Sequence, residues 1–127
     1  MKIEVKEFRL KLYPKDFSKV RHFYEQDLGF TVVNQWDRGE NDRGVMFQVG
    51  ATILELLSPN GEYREIVGAD VSWKVADVSE LWSQWSGKPN VVFDLRDNDW
   101  GDSSFCIADP EGFQITFFSK RTHEDLV

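Results

Sequence analysis

Residues 16–30 read DFSKVRHFYEQDLGF, a helix with both ends marked. Asp16 is the cap, because a short carboxylate there accepts the free N–H groups of the first turn. Phe17, Val20, Tyr24 and Leu28 recur at helical spacing and give one apolar face, and Gly29 stops the helix by tolerating a left-handed backbone. Upstream, EFRLKLY (7–13) alternates Phe8, Leu10 and Leu12 with Arg9, Lys11 and Tyr13, the period of a half-buried strand. Downstream, FTVVNQW (30–36), GVMFQV (44–49) and ATILELL (51–57) are three short strand-like runs, separated by the polar stretch from Gly39 to Gly44 and by the turn at Gly50. The order is β, α, β, β, β.

The same order returns after SPNGEYREIVG (58–68), whose Pro59, Gly61 and Gly68 read as a surface linker. DVSWKV (70–75) alternates Val71, Trp73 and Val75 with Ser72 and Lys74. In DVSELWSQW (77–85), Asp77 and Glu80 stand at capping-box positions and Val78, Leu81, Trp82 and Trp85 share a helical face. NVVFDLR (90–96), SSFCIA (103–108) and FQITFFS (113–119) complete the set, the last two joined by DPEG, a hairpin turn in which Pro110 presets φ and Gly112 takes a positive φ. Asp16 to Glu55 (55 − 16) and Asp77 to Thr116 (116 − 77) are both 39 positions, so the halves superpose at an offset of 61, matching Arg9 with Asp70, Leu12 with Trp73 and Leu54 with Ile115. The expectation is one α+β domain over residues 1–127. Its two tandem βαβββ modules, about 8–57 and 70–119 with linker 58–69, form a cupped mixed β-sheet with helices on its outer face.

Composition narrows the function. A chain of 127 residues has the length of one domain that buries its core without staples. The formal charge of −7 repels phosphate backbones and anionic lipid, so nucleic acid and membrane are not expected partners. No run approaches the ~18 apolar residues of a membrane span, and MKIEVKEF has no apolar signal core, which points to the cytoplasm. Cys106, the only cysteine, forms no internal disulfide and holds no zinc alone; it is read as a small core residue.

FYEQDLGF (23–30), the Trp100–Gly101 pair followed by a strand, and DPEGFQITFF (109–118) together resemble the glyoxalase, bleomycin-resistance and extradiol-dioxygenase superfamily, over nearly the whole chain from about Phe8 to Ser119. The resemblance implies the cupped fold and, in the enzymes, a divalent metal held by four side chains. Carried onto this chain, those positions fall on Arg9, Glu55, Asp70 and Thr116. Only Glu55 matches the usual His or Glu. Arg9 is a permanent cation and Thr116 a poor neutral ligand. His22 lies within the first helix and His123 in the polar tail, so no metal and no other cofactor is expected.

Strand parity assigns faces independently. Phe8, Leu10, Leu12, Leu54, Leu56, Val71, Trp73, Val75, Ile115 and Phe117 form the helix-packed face. Arg9, Lys11, Ile53, Glu55, Leu57, Asp70, Ser72, Lys74, Gln114, Thr116 and Phe118 face the cup, a few charges among apolar groups. Two readings stand for the charges: Arg9, Glu55 and Asp70 pair among themselves, or some of them contact a guest. Trp73, Trp82 and Trp85 are read as core. Trp36 and Trp100, at strand ends beside polar loops, are read as covering a ligand or a dimer contact. The loop DLRDNDWGD (94–102) sets four aspartates around Trp100, a solvated rim or an attraction for a cationic aromatic guest.

The expected function is therefore metal-independent small-molecule binding, similar to that of bleomycin-resistance proteins, with Arg9, Glu55, Asp70, Thr116, Trp36 and Trp100 as the expected contacts. A homodimer is expected because an open mixed sheet leaves edges for a second copy. The alternatives are a lyase, isomerase or dioxygenase using Glu55 as acid–base group or Glu55 with Asp70 at an unusual metal site, and a structural or regulatory dimer without ligand.

Overall fold

The structure, a computed structural model, describes residues 1–59 and 62–121; Gly61 and His123 lie outside the described residues. The chain divides into two compact units, Met1–Ile66 and Val67–Val127. The first contains β1 (Arg9–Leu12), α1 (Phe17–His22) running into a π-helical turn (Phe23–Asp27), β2 (Thr31–Asp37), β3 (Asp42–Val49) and β4 (Thr52–Pro59). The second contains β5 (Val71–Lys74), α2 (Val78–Trp85), β6 (Val91–Asp97), β7 (Asp102–Ala108) and β8 (Gln114–Lys120).

Each unit has its own four-stranded mixed sheet, ordered β1-β4-β3-β2 in one and β5-β8-β7-β6 in the other. In both, the first strand pairs parallel with the last and the remaining pairs are antiparallel. The α+β class and the two βαβββ modules are as the sequence implied. Hydrogen bonding is divided between two sheets because each module's first strand returns to its own last strand. The repeat extends to irregularities: a bulge between Val32 and Asn34 in β2 has its counterpart between Val91 and Phe93 in β6, and the residues within them, Val33 and Val92, are exposed.

The helix ends follow the capping signals. Asp16 accepts the Lys19 N–H at 3.1 Å, and Asp77 accepts those of Ser79 and Glu80 at 3.0 and 3.2 Å. The first helix departs from the expected stripe in its second half. Leu28 N–H bonds to the Phe23 carbonyl, five residues back, at 3.0 Å. This wider turn rotates less per residue and brings the adjacent pair Phe23 and Tyr24 inward together, leaving Leu28 only half-buried. Gly29 follows with φ 72°, as its position required.

Two apolar cores result. In the first unit Val20 and Tyr24 of the helix meet Phe47, Leu54 and Leu56 of the sheet, all fully buried. In the second, Phe105 stands between Trp82 and Phe117, with ring centroids 5.1 and 5.4 Å away, and Trp73 packs on Phe117 at 6.1 Å. Of the three tryptophans read as core, Trp85 is buried, while Trp73 and Trp82 are half-buried and pack against these core rings. Phe8 does not: its carbonyl accepts the Ile53 N–H, yet its side chain is 60% exposed. β1 is the edge strand, and α1 packs on β4 rather than on β1, so alternation there continues past the covered area.

The DPEG turn owes more to its first residue than to Pro110. Buried Asp109 accepts the N–H groups of Glu111 at 2.8 Å and Phe113 at 3.0 Å, while Gly112 takes φ 89°. Among the described residues no helix is long and apolar enough to cross a membrane.

Candidate functional site

Pairing fixes the faces of the first sheet. Lys11 lies beside Glu55, which lies opposite Met46; Arg9 lies beside Ile53; Leu57 lies opposite Gly44, which lies opposite Trp36. Paired residues share a face, so Arg9, Lys11, Trp36, Gly44, Met46, Ile53, Glu55 and Leu57 are on one side, and core residues Leu54 and Leu56 are on the other. A Cβ at Gly44 would run into the Trp36 ring, so the indole lies flat over that glycine on the Glu55 side of the sheet.

Glu55 is the unusual member of this face. Only 7% of the residue is exposed, and it accepts no hydrogen bond from the described residues. Among the described residues the one cation within 4.0 Å is Arg9, with Nη1 3.9 Å from Oε1. Arg9 has a closer partner in Glu7, whose carboxylate takes its Nε–H at 2.7 Å. That hydrogen bond is the largest influence pushing the Arg9 pKa above its ordinary value, and Glu55 contributes least. The mutual pairing weighed for Arg9 and Glu55 is therefore present only as a long contact.

The other two positions are in the second unit. Asp70 is exposed and just precedes β5, and Thr116 of β8 lies between Ser72 and Cys106. The row continues to Phe93, over whose ring the Arg96 guanidinium sits at 3.8 Å. Cys106 is buried as read, but it shares the Thr116 face rather than the helix-packed one. Burial pushes its thiol pKa up, and a hydrogen bond with Thr116 opposes this in part. The thiolate is the reactive form, so Cys106 in the native protein is expected to react with a disulfide reagent at pH 8 about a hundredfold more slowly than a free thiol. Stopped-flow absorbance checks this; reaction at the free-thiol rate would mean that the face is open to reagent.

Trp100 is 76% exposed at the tip of the β6–β7 hairpin. The turn beneath it is braced by Asn98, whose amide donates to Asp102 at 2.8 Å and Ser104 at 3.0 Å, while Arg121 donates to the Asn98 carbonyl at 2.9 Å. Asn98 was not singled out from the sequence. Nor were Met46 and Gly44, because the run Gly44–Phe47 is buried throughout and shows no alternation to read.

The profile described as Glyoxalase/Bleomycin resistance protein/Dioxygenase superfamily matches residues 8–117. The chain belongs to that superfamily. Among solved structures, TioX from Micromonospora sp. ML1 is 21% identical with a TM-score of 0.71, covering 92% of this chain and 100% of its own. Protein SMU.1112c is 21% identical with a TM-score of 0.73, covering 92% and 99%. Lactoylglutathione lyase from Agrobacterium tumefaciens is 19% identical with a TM-score of 0.67, covering 93% and 96%. At such identities the likeness is one of fold. No functionally curated protein matches the chain in sequence.

The divalent metal used by enzymes of the superfamily does not fit the side chains this member carries. Of the four positions, one is a guanidinium and one a hydroxyl. Among the described residues no three His, Cys, Asp or Glu side chains gather as a metal site would require. His22 is exposed on the helix, 3.9 Å from Asp27.

Proposed function

We propose that this superfamily member binds a small molecule without a divalent metal, and that Glu55 is the group its guest engages. The supporting observation is the state of Glu55: a side chain only 10% exposed, with no hydrogen-bond donor and a single cation, at 3.9 Å, among the described residues. A carboxylate so placed costs free energy unless something donates to it. A guest ammonium or amidinium would supply that donor. Met46, Ile53 and Leu57 offer apolar contact on the same face, and the Trp36 indole offers a flat surface. A net charge of −7 favours the approach of cations. The guest proposed is thus cationic with an aromatic or apolar portion, sequestered rather than transformed, as the likeness to bleomycin-resistance proteins suggests. A homodimer is part of the proposal, since β2 and β6 are edge strands with unpaired outer sides.

Elemental analysis of protein purified without chelator tests the metal-free part. Well under one transition-metal ion per chain is expected; about one per chain, lost on Glu55→Gln, would overturn it.

A further inference from the structure

The two modules present an internal comparison on the helix-packed side of their sheets. One cross-strand row reads Asp37, Arg43, Ser58 in the first unit, and the equivalent row reads Asp97, Ser103, Ser119 in the second. The rows differ only at the central residue. In the second unit Ser103 donates to Asp97 at 2.6 Å, and the fold needs nothing larger there. Arg43 is therefore an addition that the architecture does not demand.

Its charge is not compensated. No carboxylate of the described residues lies within 4.0 Å of the Arg43 guanidinium, although Asp37 is its cross-strand partner. Asp37 instead accepts the Gly39 N–H at 3.0 Å in the adjoining turn. Glu25, the other nearby acid, is held by Arg21 at 3.0 Å. The Arg43 guanidinium lies over the Phe17 ring at 4.8 Å, Nη1 donates to the Ser18 hydroxyl at 3.2 Å, and Nε is buried with no acceptor. Stacking fixes the planar fork before any guest arrives, which lowers the ordering cost of binding.

Around this fork is a groove of about 270 Å³ between α1 and the β2–β3 pair, to which Ser18, Arg21, His22 and Gln26 add hydrogen-bond donors; the carboxylates of Glu25 and Asp37 also line it, the first taken up by Arg21 and the second by the Gly39 N–H. We propose that this groove binds a small oxyanion, a carboxylate or a phosphate group, on Arg43. The fork geometry of a guanidinium matches the paired oxygens of either group. The site is on the opposite face of the sheet from Glu55, since Arg43 and Gly44 alternate, and its ligand is opposite in charge to the guest proposed there. Either site can therefore fail without the other.

The test is an amide NMR titration with sodium phosphate and, separately, sodium acetate, at ionic strength held constant with chloride. Saturable shifts at Ser18, Arg21 and Arg43 are expected with at least one of the two, naming the group the site takes, with little change at Met46 and Glu55. Arg43→Ser copies the residue of the second unit and should fold, as a dispersed spectrum would verify. It should weaken binding about tenfold or more, the usual worth of a charge-assisted hydrogen bond. Shifts that never saturate, equal titrations of wild type and Arg43→Ser, or saturation confined to the Glu55 face would each overturn the proposal.

Discussion

Truncating Phe105 to alanine should destabilise the protein by about 3–5 kcal/mol, the usual cost of removing a buried phenyl ring. Phe105 is fully buried in the second unit's core, with Trp82 and Phe117 on either side at 5.1 and 5.4 Å. The neighbours that would have to collapse into the cavity are themselves rings fixed on α2 and β8, so relaxation should be incomplete. Single domains are stable by only about 5–15 kcal/mol, which makes this a large fraction of the whole. Urea unfolding followed by tryptophan fluorescence gives the number. A loss below about 1 kcal/mol would mean that these rings are not packed as described.

Replacing Glu55 by leucine should act in the opposite direction, raising stability by about 1–3 kcal/mol while weakening guest binding about tenfold or more. Removing a largely buried carboxylate with no donor among the described residues relieves its partial desolvation, and a hydrophobe of similar size packs against Met46 and Ile53. Arg9 loses little, because it is 46% exposed and keeps its 2.7 Å contact with Glu7. Thermal unfolding of Glu55→Leu beside wild type measures the effect. A destabilised variant would show that Glu55 is a structural ion-pair partner of Arg9 rather than a group kept for a guest.

The repeat was legible because each module announces its helix with an aspartate cap and each hairpin with a glycine turn, signals that act over four or five residues. The offset of 61 carried over to observed pairing: Leu10 lies beside Leu54 and Val71 beside Ile115. What escaped the sequence depends on longer range. The π-helical turn that buries Phe23 in place of Leu28 follows from tertiary packing of two adjacent aromatics, which no helical period encodes. Phe8 alternates correctly with its strand, but at an edge the helix does not cover. The placing of Trp36 over Gly44 required the β2–β3 register and the bulge that sets it. Arg43 went unremarked because a lone arginine in a loop-flanked strand has no local signature; only its repeat-mate Ser103, and an aspartate turned to another partner, single it out.

On the proposed reading a cation donor on a guest, and not a metal, answers the Glu55 carboxylate. Titrating chelator-treated protein with benzamidinium and with bleomycin, while following the amides of Met46, Leu54, Glu55 and Leu57 together with tryptophan fluorescence, tests it most directly. Saturable shifts on that face are expected for at least one cation, weakened about tenfold or more in Glu55→Leu. No saturable cation binding, or binding that appears only after a divalent metal is restored, would contradict it.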